Sequence, residues 1–185
     1  MRKMVRVMRH QNPLYCAMIS FLIQTGQTVG VINGITWSMI RTKKSHGIAR
    51  VPYDLRRRGE GNDTYGFVIG RNTMTLLEEM PETKDRRKNG ESVFDISTRR
   101  AIGIIDLVAE KAHVQDESDR KPGKRSHRVY PKSFLRYWKD TVLKGQMNHE
   151  ISRYMTGYKN PSHPTYSDDE LLRAYIRAES LLRVL

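Results

Sequence analysis

Arg136 and Tyr166 are the residues of this chain whose types and spacing best fit phosphate chemistry. The planar fork of an arginine matches two phosphate oxygens at once. A tyrosine hydroxyl can attack phosphorus and hold the product as a covalent ester. Arg136 closes the segment PKSFLR, the helix-like MNHEISRYMTGY follows, and the tripeptide PTY ends at Tyr166. An arginine carried on one helix and a tyrosine a few residues past the next is the order that phosphotransfer from DNA to protein requires.

Each residue also has an ordinary explanation. Leu135, Trp138 and Val142 form an apolar stripe with Arg136 at its edge, where a long cationic side chain can snorkel to water. Tyr166 is one of nine tyrosines, and a half-buried loop tyrosine is common. Tyr154, Tyr158 and Tyr175 are weaker nucleophile candidates, since Tyr154 and Tyr175 fall at helical spacing among apolar neighbours. His163, just before Tyr166, suits either phosphate assistance or a surface loop.

The elements that must position these groups read as follows. Asn12 and Pro13 open a helix as cap and first residue, Leu14, Ala17, Met18, Phe21 and Leu22 recur at helical spacing, and Gly26 ends it. In TVGVINGITWSMI, Val29, Ile32, Ile35 and Trp37 supply an apolar face while Gly30 and Gly34 leave one side flat, predicting a short, closely packed helix. IARVPYDL and DTYGFVI flank RRRGEGN and predict a hairpin with a basic tip over 48–69. Thr73 to Met80 returns to helix, and the polar PETKDRRKNGES reads as a surface loop. Asp95 or Ser97 caps a helix on which Ala101, Ile104, Ile105, Val108, Ala109 and Ala112 share a face. Residues 115–129 predict a mobile basic loop, and helices follow near 131–144, 148–156 and 168–183. The last begins at Ser167 with Asp168, Asp169 and Glu170 at the positive end of its dipole. Together these predict a mainly α fold with a small antiparallel β-sheet or hairpin.

A chain of 185 residues suits a single domain, 1–185, with residues 1–11 as a basic flexible start. Its 33 basic and 20 acidic side chains give a net charge of +13, which favours a polyanionic partner, nucleic acid first and ribosome or anionic membrane after it. Cys16 is the only cysteine and lies in an apolar helical pattern, so no internal disulfide forms. The start lacks the apolar run of a signal peptide, and no stretch is long enough to span a membrane, which predicts an intracellular, DNA-associated protein. The six histidines have no metal-ligand spacing and no Walker-type glycine loop occurs, so neither metal nor cofactor is expected. Arg56 to Arg58, Lys84 to Lys88 and Lys121 to Arg128 are basic clusters suited to tracking a DNA backbone.

The carboxyl-terminal half resembles the catalytic domain of the tyrosine recombinases, or phage-type integrases, and most of all integrases of archaeal plasmids and viruses. That family carries H-x-L-R, then a helix ending in G-H, then the nucleophilic tyrosine. Here SFLR ends at Arg136, MNHEISRYMTGY ends at Tyr158, and PTYSDDELLRAYIRAESLL supplies Tyr166 and a trailing helix. TGQTVGVINGITWSMI resembles the family's T-G-x-R helix pair, and the hairpin and IGRNTMTLLEEM follow in the family's order, so the resemblance runs from about residue 12 to 183.

The resemblance implies site-specific recombination, integration or excision, in which Tyr166 attacks a phosphodiester of double-stranded DNA and forms a 3′-phosphotyrosyl bond. It implies that Arg136 holds the phosphate, that Ser133 and Tyr158 stand at the two histidine positions, and that Thr28 stands where the family has its first arginine; His163, three residues before Tyr166, stays open between assisting or binding phosphate and a surface loop position. Threonine offers no charged fork. An arginine elsewhere fills the place, or activity has been lost, or the chain carries a deliberate change there; the intact glycine, apolar spacing and tryptophan around it favour an isolated substitution. The hairpin lysine is replaced by arginines, of which Arg58 is favoured as the general acid, although arginine, with a pKa above about 12, is a poor one. Lys132, Arg56, Arg57, Lys43, Lys44, Lys124 and Arg125 would contact DNA. The resemblance further implies an absent amino-terminal core-binding domain and a tetramer on DNA, with the isolated domain monomeric. The final helix would pack on its own domain or on a neighbouring protomer. A type IB topoisomerase and a non-catalytic nucleic-acid-binding protein are the alternatives.

Overall fold

Helix α2 (Pro13–Thr25) is buried on every side from Cys16 to Thr25, and the rest of the chain is arranged to cover it. The computed structural model describes residues 2–9, 11–55, 63–80, 83–114, 129–158 and 165–183. Helices α1 (Arg2–Met8), α4 (Arg71–Glu78), α6 (Thr98–Lys111) and α7 (Pro131–Lys144) pack on α2, as does strand β3 (Thr64–Ile69). Phe21 sits at their junction, its ring meeting Phe67 and Phe94 edge-on at 5.9 and 5.3 Å. Asn12 caps α2 by accepting a hydrogen bond from the Tyr15 N–H at 3.0 Å. Cys16 is fully buried, and burial pushes its thiol up to about 11, so it behaves as a small hydrophobe.

The sheet has three antiparallel strands in the order β1 (Ile40–Lys43), β2 (His46–Pro52) and β3. Lys44 and Ser45 make the first reversal with φ of 50° and 64°, the mirror-image geometry whose twist suits a two-residue hairpin. The expected hairpin over 48–69 corresponds to β2 and β3; its tip, residues 56–62, lies outside the described residues. β1 is an unforeseen third strand. Helix α8 (His149–Met155) packs on β3, and α9 (Asp168–Leu182) packs on α7 and β3. Leu171, Leu172, Tyr175, Ala178 and Leu182 of α9 are buried, so this helix docks on its own domain.

Other expectations change. Residues 2–8 are not a flexible start but helix α1, which buries Met4, Val5 and Met8. The polar stretch read as a surface loop forms helix α5 (Thr83–Asn89), which buries only Thr83 and sets Arg87 over the Trp37 ring at 5.4 Å. Ser97, not Asp95, caps α6, accepting from the Arg100 N–H at 3.2 Å. The buried stripe of α7 is Phe134, Trp138 and Val142, and Leu135 is only half-buried. Gly30 and Gly34 of α3 (Val29–Gly34) do present a flat face, closed by Leu55: a Cβ on Gly34 would come within 2.4 Å of its Cδ2.

Gly26 ends α2 in the left-handed region at φ 64°, and a Cβ there would lie 2.8 Å from the Trp138 ring. Gly26→Ala therefore meets both a backbone penalty and a clash with a fully buried indole. Urea denaturation should report a loss of about 2–4 kcal/mol; a stability within error of the native chain would contradict this packing.

Candidate active site

Two helices are brought to one groove by a capping contact. Trp138 donates its indole N–H to the Gln24 carbonyl at 2.8 Å, satisfying one of the carbonyls orphaned at the end of α2. The same ring lies under Gly26. This fixes α7 against the turn that leads into α3, so that Thr28, Lys132, Leu135, Arg136, Lys139 and Asp140 line a groove of about 390 Å³. Lys132, Arg136 and Lys139 stand on successive turns of α7 and share its outer face. Neither Arg136 nor Lys132 has a hydrogen-bond or ion-pair partner among the described residues. Thr28 is the N-cap of α3, yet its side chain makes no capping hydrogen bond.

The residue between Gly26 and Thr28 ties this corner to α8. Gln27 is buried; its amide donates to the Met155 carbonyl at 2.7 Å, and its Oε1 accepts from the Tyr65 hydroxyl at 2.8 Å. The Tyr65 ring in turn closes on Gly157, whose φ of 66° and 2.8 Å clearance leave no room for a side chain. The two motif glycines thus flank one buried network running from α2 through β3 to the end of α8.

Tyr166 lies outside the groove, at the entry to α9. Its ring packs edge-on against Tyr154 at 5.2 Å, and its hydroxyl makes no hydrogen bond among the described residues. Its carbonyl accepts from Arg50 Nη2 at 2.7 Å. Arg50, on β2, also donates from Nε and Nη2 to Asp168 Oδ1 at 3.0 and 2.6 Å, and from Nη1 to the Tyr154 hydroxyl at 2.9 Å. Space for this guanidinium exists because its cross-strand partner is Gly66, where a Cβ would lie 2.8 Å from Nη1. Ser167 caps α9 reciprocally with Glu170, accepting at 3.3 Å from its N–H and donating its own N–H at 2.8 Å.

The remaining candidates are dispersed. Ser133 does not line the groove; its Oγ accepts from the Tyr130 N–H at 3.2 Å and caps α7. Tyr158 is exposed, with the Arg153 guanidinium 3.8 Å above its ring. Lys43 pairs with Asp169 at 2.7 Å, and Lys44 sits in the β1–β2 turn. Tyr154 and Tyr175 are buried. Arg56, Arg57, Arg58, Lys124, Arg125 and His163 lie outside the described residues, as does most of the expected loop at 115–129. Sequence reasoning passed over Arg50 and Gln27. The available signal for Arg50 was a lone charge inside the β-branched run IARVPY.

Burial raises the Tyr166 phenol above the ordinary tyrosine value, with Glu150, Glu170 and Tyr154 adding to the effect. Burial also raises Tyr53 and Tyr154, and raises Tyr175 far more. A group whose folded pKa is raised gives stability that is complete below its unfolded value and lost as pH climbs through the folded one. The unfolded value is about 10 for a tyrosine. Melting temperatures should therefore begin to fall above about pH 8.5, where the unfolded Cys16 thiol ionises but the buried one does not, and fall more steeply above about pH 10 as the tyrosines join it; Tyr175→Phe should soften the steeper part, and an alkaline limb unchanged in the variant would contradict the assignment.

No family model matches the chain, and no curated protein matches it. Among solved structures, one described as the crystal structure of XerA recombinase superposes with a TM-score of 0.64 at 16% identity. The fold is similar to that of XerA recombinase. The match covers 93% of this chain and 60% of the XerA chain, so the protein spans less than two thirds of that recombinase's length. At this identity the likeness to XerA establishes architecture: mainly helical, with a small antiparallel sheet. Among the described residues no helix is long and apolar enough to cross a membrane, and no group of three or more His, Cys, Asp or Glu is placed to hold a metal ion.

Proposed function

We propose that this chain is the catalytic domain of a site-specific recombinase that cleaves and rejoins double-stranded DNA through Tyr166. The observation that carries the proposal is the groove between α3 and α7, where Arg136 and Lys132 have no protein partner among the described residues. Cations without a partner among the described residues at a concave site suit an anionic ligand, and arginine suits a phosphate. The XerA-like fold and the net charge of +13 favour duplex DNA as the source of that phosphate.

In the reaction, the Tyr166 Oη attacks the phosphorus, the phenolic proton passes to a base or water, and the bond from phosphorus to the 5′-oxygen breaks. The DNA is left with a 3′-phosphotyrosyl ester and a 5′-hydroxyl, the departing oxygen having taken up a proton. Attack by a 5′-hydroxyl on the ester reverses these steps and rejoins the strand. Arg136 stabilises charge on the pentavalent phosphorus, and Lys132 is a second source of positive charge at the groove. Arg58 is the proposed proton donor from the hairpin, and recombination proceeds in a tetramer on two sites. Ester exchange conserves bond energy, so no nucleotide is consumed.

A second reading, duplex binding without cleavage, is favoured by Thr28, which removes one charged fork from the phosphate site. A nicked duplex that loses its 5′-hydroxyl fragment after attack separates the two. Under strand transfer it yields a covalent adduct mapping to Tyr166 by mass spectrometry, in the native chain or in Thr28→Arg. No adduct in either would overturn the proposal.

A further inference from the structure

We infer that Arg50 is the positioning residue for the attacking tyrosine, an inference that rests on the strand-transfer reading above. Its guanidinium binds three things at once: the carbonyl of Tyr166, the carboxylate of Asp168, and the hydroxyl of Tyr154. The first fixes the backbone of the nucleophile. The second anchors the first residue of α9, immediately beyond the Ser167 cap. The third orients the ring against which the Tyr166 ring packs at 5.2 Å. Backbone, following helix and ring surface are therefore all referred to one side chain on β2.

The strand makes this reference rigid. Arg50 is paired on one side with Gly66 of β3, and the missing side chain there gives the guanidinium its bed. Leu171 of α9 closes the same spot, since a Cβ on Gly66 would lie 2.8 Å from its Cδ1. Arg50 reaches these three acceptors from Nε, Nη1 and Nη2, a rigid spread of donors that the single nitrogen of a lysine cannot reproduce. Arg50 remains about a third exposed (31%) and Asp168 slightly less (27%), so the contact is a directional anchor more than a source of stability.

A nucleophile displaced by about 1 Å loses on the order of 10²-fold in rate even when the change is remote from the reacting atoms. Single-turnover cleavage of the nicked duplex, at saturating DNA, should therefore slow by about 10²-fold in Arg50→Ala. The DNA concentration giving half-saturation should stay where it is, because Arg50 is not in the groove. Arg50→Lys should recover only part of the rate. Asp168→Asn, which leaves the Ser167 cap in place, should slow the step in the same direction, and the double variant should lose less than the product of the two losses. Asp168→Asn carries the test if Arg50→Ala does not fold. A native cleavage rate in folded Arg50→Ala, or a loss expressed wholly as weaker DNA binding, overturns the inference while leaving strand transfer standing. No adduct from the native chain or from Thr28→Arg overturns strand transfer and this inference with it.

Discussion

Under the strand-transfer proposal, Tyr166→Phe should abolish the covalent adduct with a nicked duplex while leaving the fold and DNA binding in place. The variant removes one oxygen, which has no hydrogen-bond partner among the described residues, so no bond among them is lost. The aromatic ring that packs on Tyr154 is retained, as is the carbonyl that Arg50 holds. DNA affinity should remain within about twofold, because affinity for a duplex comes chiefly from cations meeting phosphates and the tyrosine supplies none. Denaturing gel electrophoresis reads the adduct directly. An adduct surviving in Tyr166→Phe would assign the chemistry to another tyrosine and sink the proposal, even if the chain still binds DNA.

Thr28→Arg has the second-largest expected effect, in the opposite direction. A positioned donor to a developing negative charge is worth about 2.7–4 kcal/mol, or 10² to 10³ in rate. Thr28 lines the same groove as Arg136, so an arginine there would face the phosphate that the proposal places in it. The exchange costs the helix little, because the threonine side chain makes no capping hydrogen bond to α3. It does add a like charge beside Lys132 and Arg136, which Asp140 in the groove only partly offsets. The free protein should therefore melt slightly lower, and DNA should restore the difference. Adduct formation should accelerate by about 10² or more. A rate unchanged by the arginine would mean that the groove does not hold the reacting phosphate, or that Lys132 or Lys139 already supplies the missing charge; the Lys132→Ala and Lys139→Ala variants of the native chain separate these.

What could be read beforehand was what burial writes into a sequence. Helix α6 was legible because Ala101, Ile104, Ile105, Val108 and Ala109 recur on the face it buries. The start of α9 was legible because Ser167 and Glu170 form a reciprocal cap. Helix α5 was not, since a helix that buries only Thr83 has no periodic apolar signal and is held by contacts such as Arg87 over Trp37. Strand β1 was hidden for a related reason: it is an edge strand without a fully buried residue, and it exists because β2 offers it a ladder. In the site, Arg136 was named from its residue type and spacing and Thr28 from the family resemblance, and both line one groove. Arg50 was not foreseeable as a contact, because its partners lie 104 to 118 residues away and nothing local encodes them.

The acidic start of α9 also shapes how a duplex would approach. Among the described residues the carboxylates gather around Tyr166: Glu150 and Glu170 bear on the phenol, while Asp168 and Asp169 engage Arg50 and Lys43. The outer face of α7 is the reverse, with Lys132, Arg136 and Lys139 against one aspartate. If the chain acts on DNA as proposed, a polyanion in dilute salt would be drawn to the second surface and held off the first, landing by its backbone before it meets Tyr166. The landing order is itself a form of selectivity. Salt at the molar level, where screening acts within about 3 Å, erases the gradient and leaves shape alone to choose between the two surfaces.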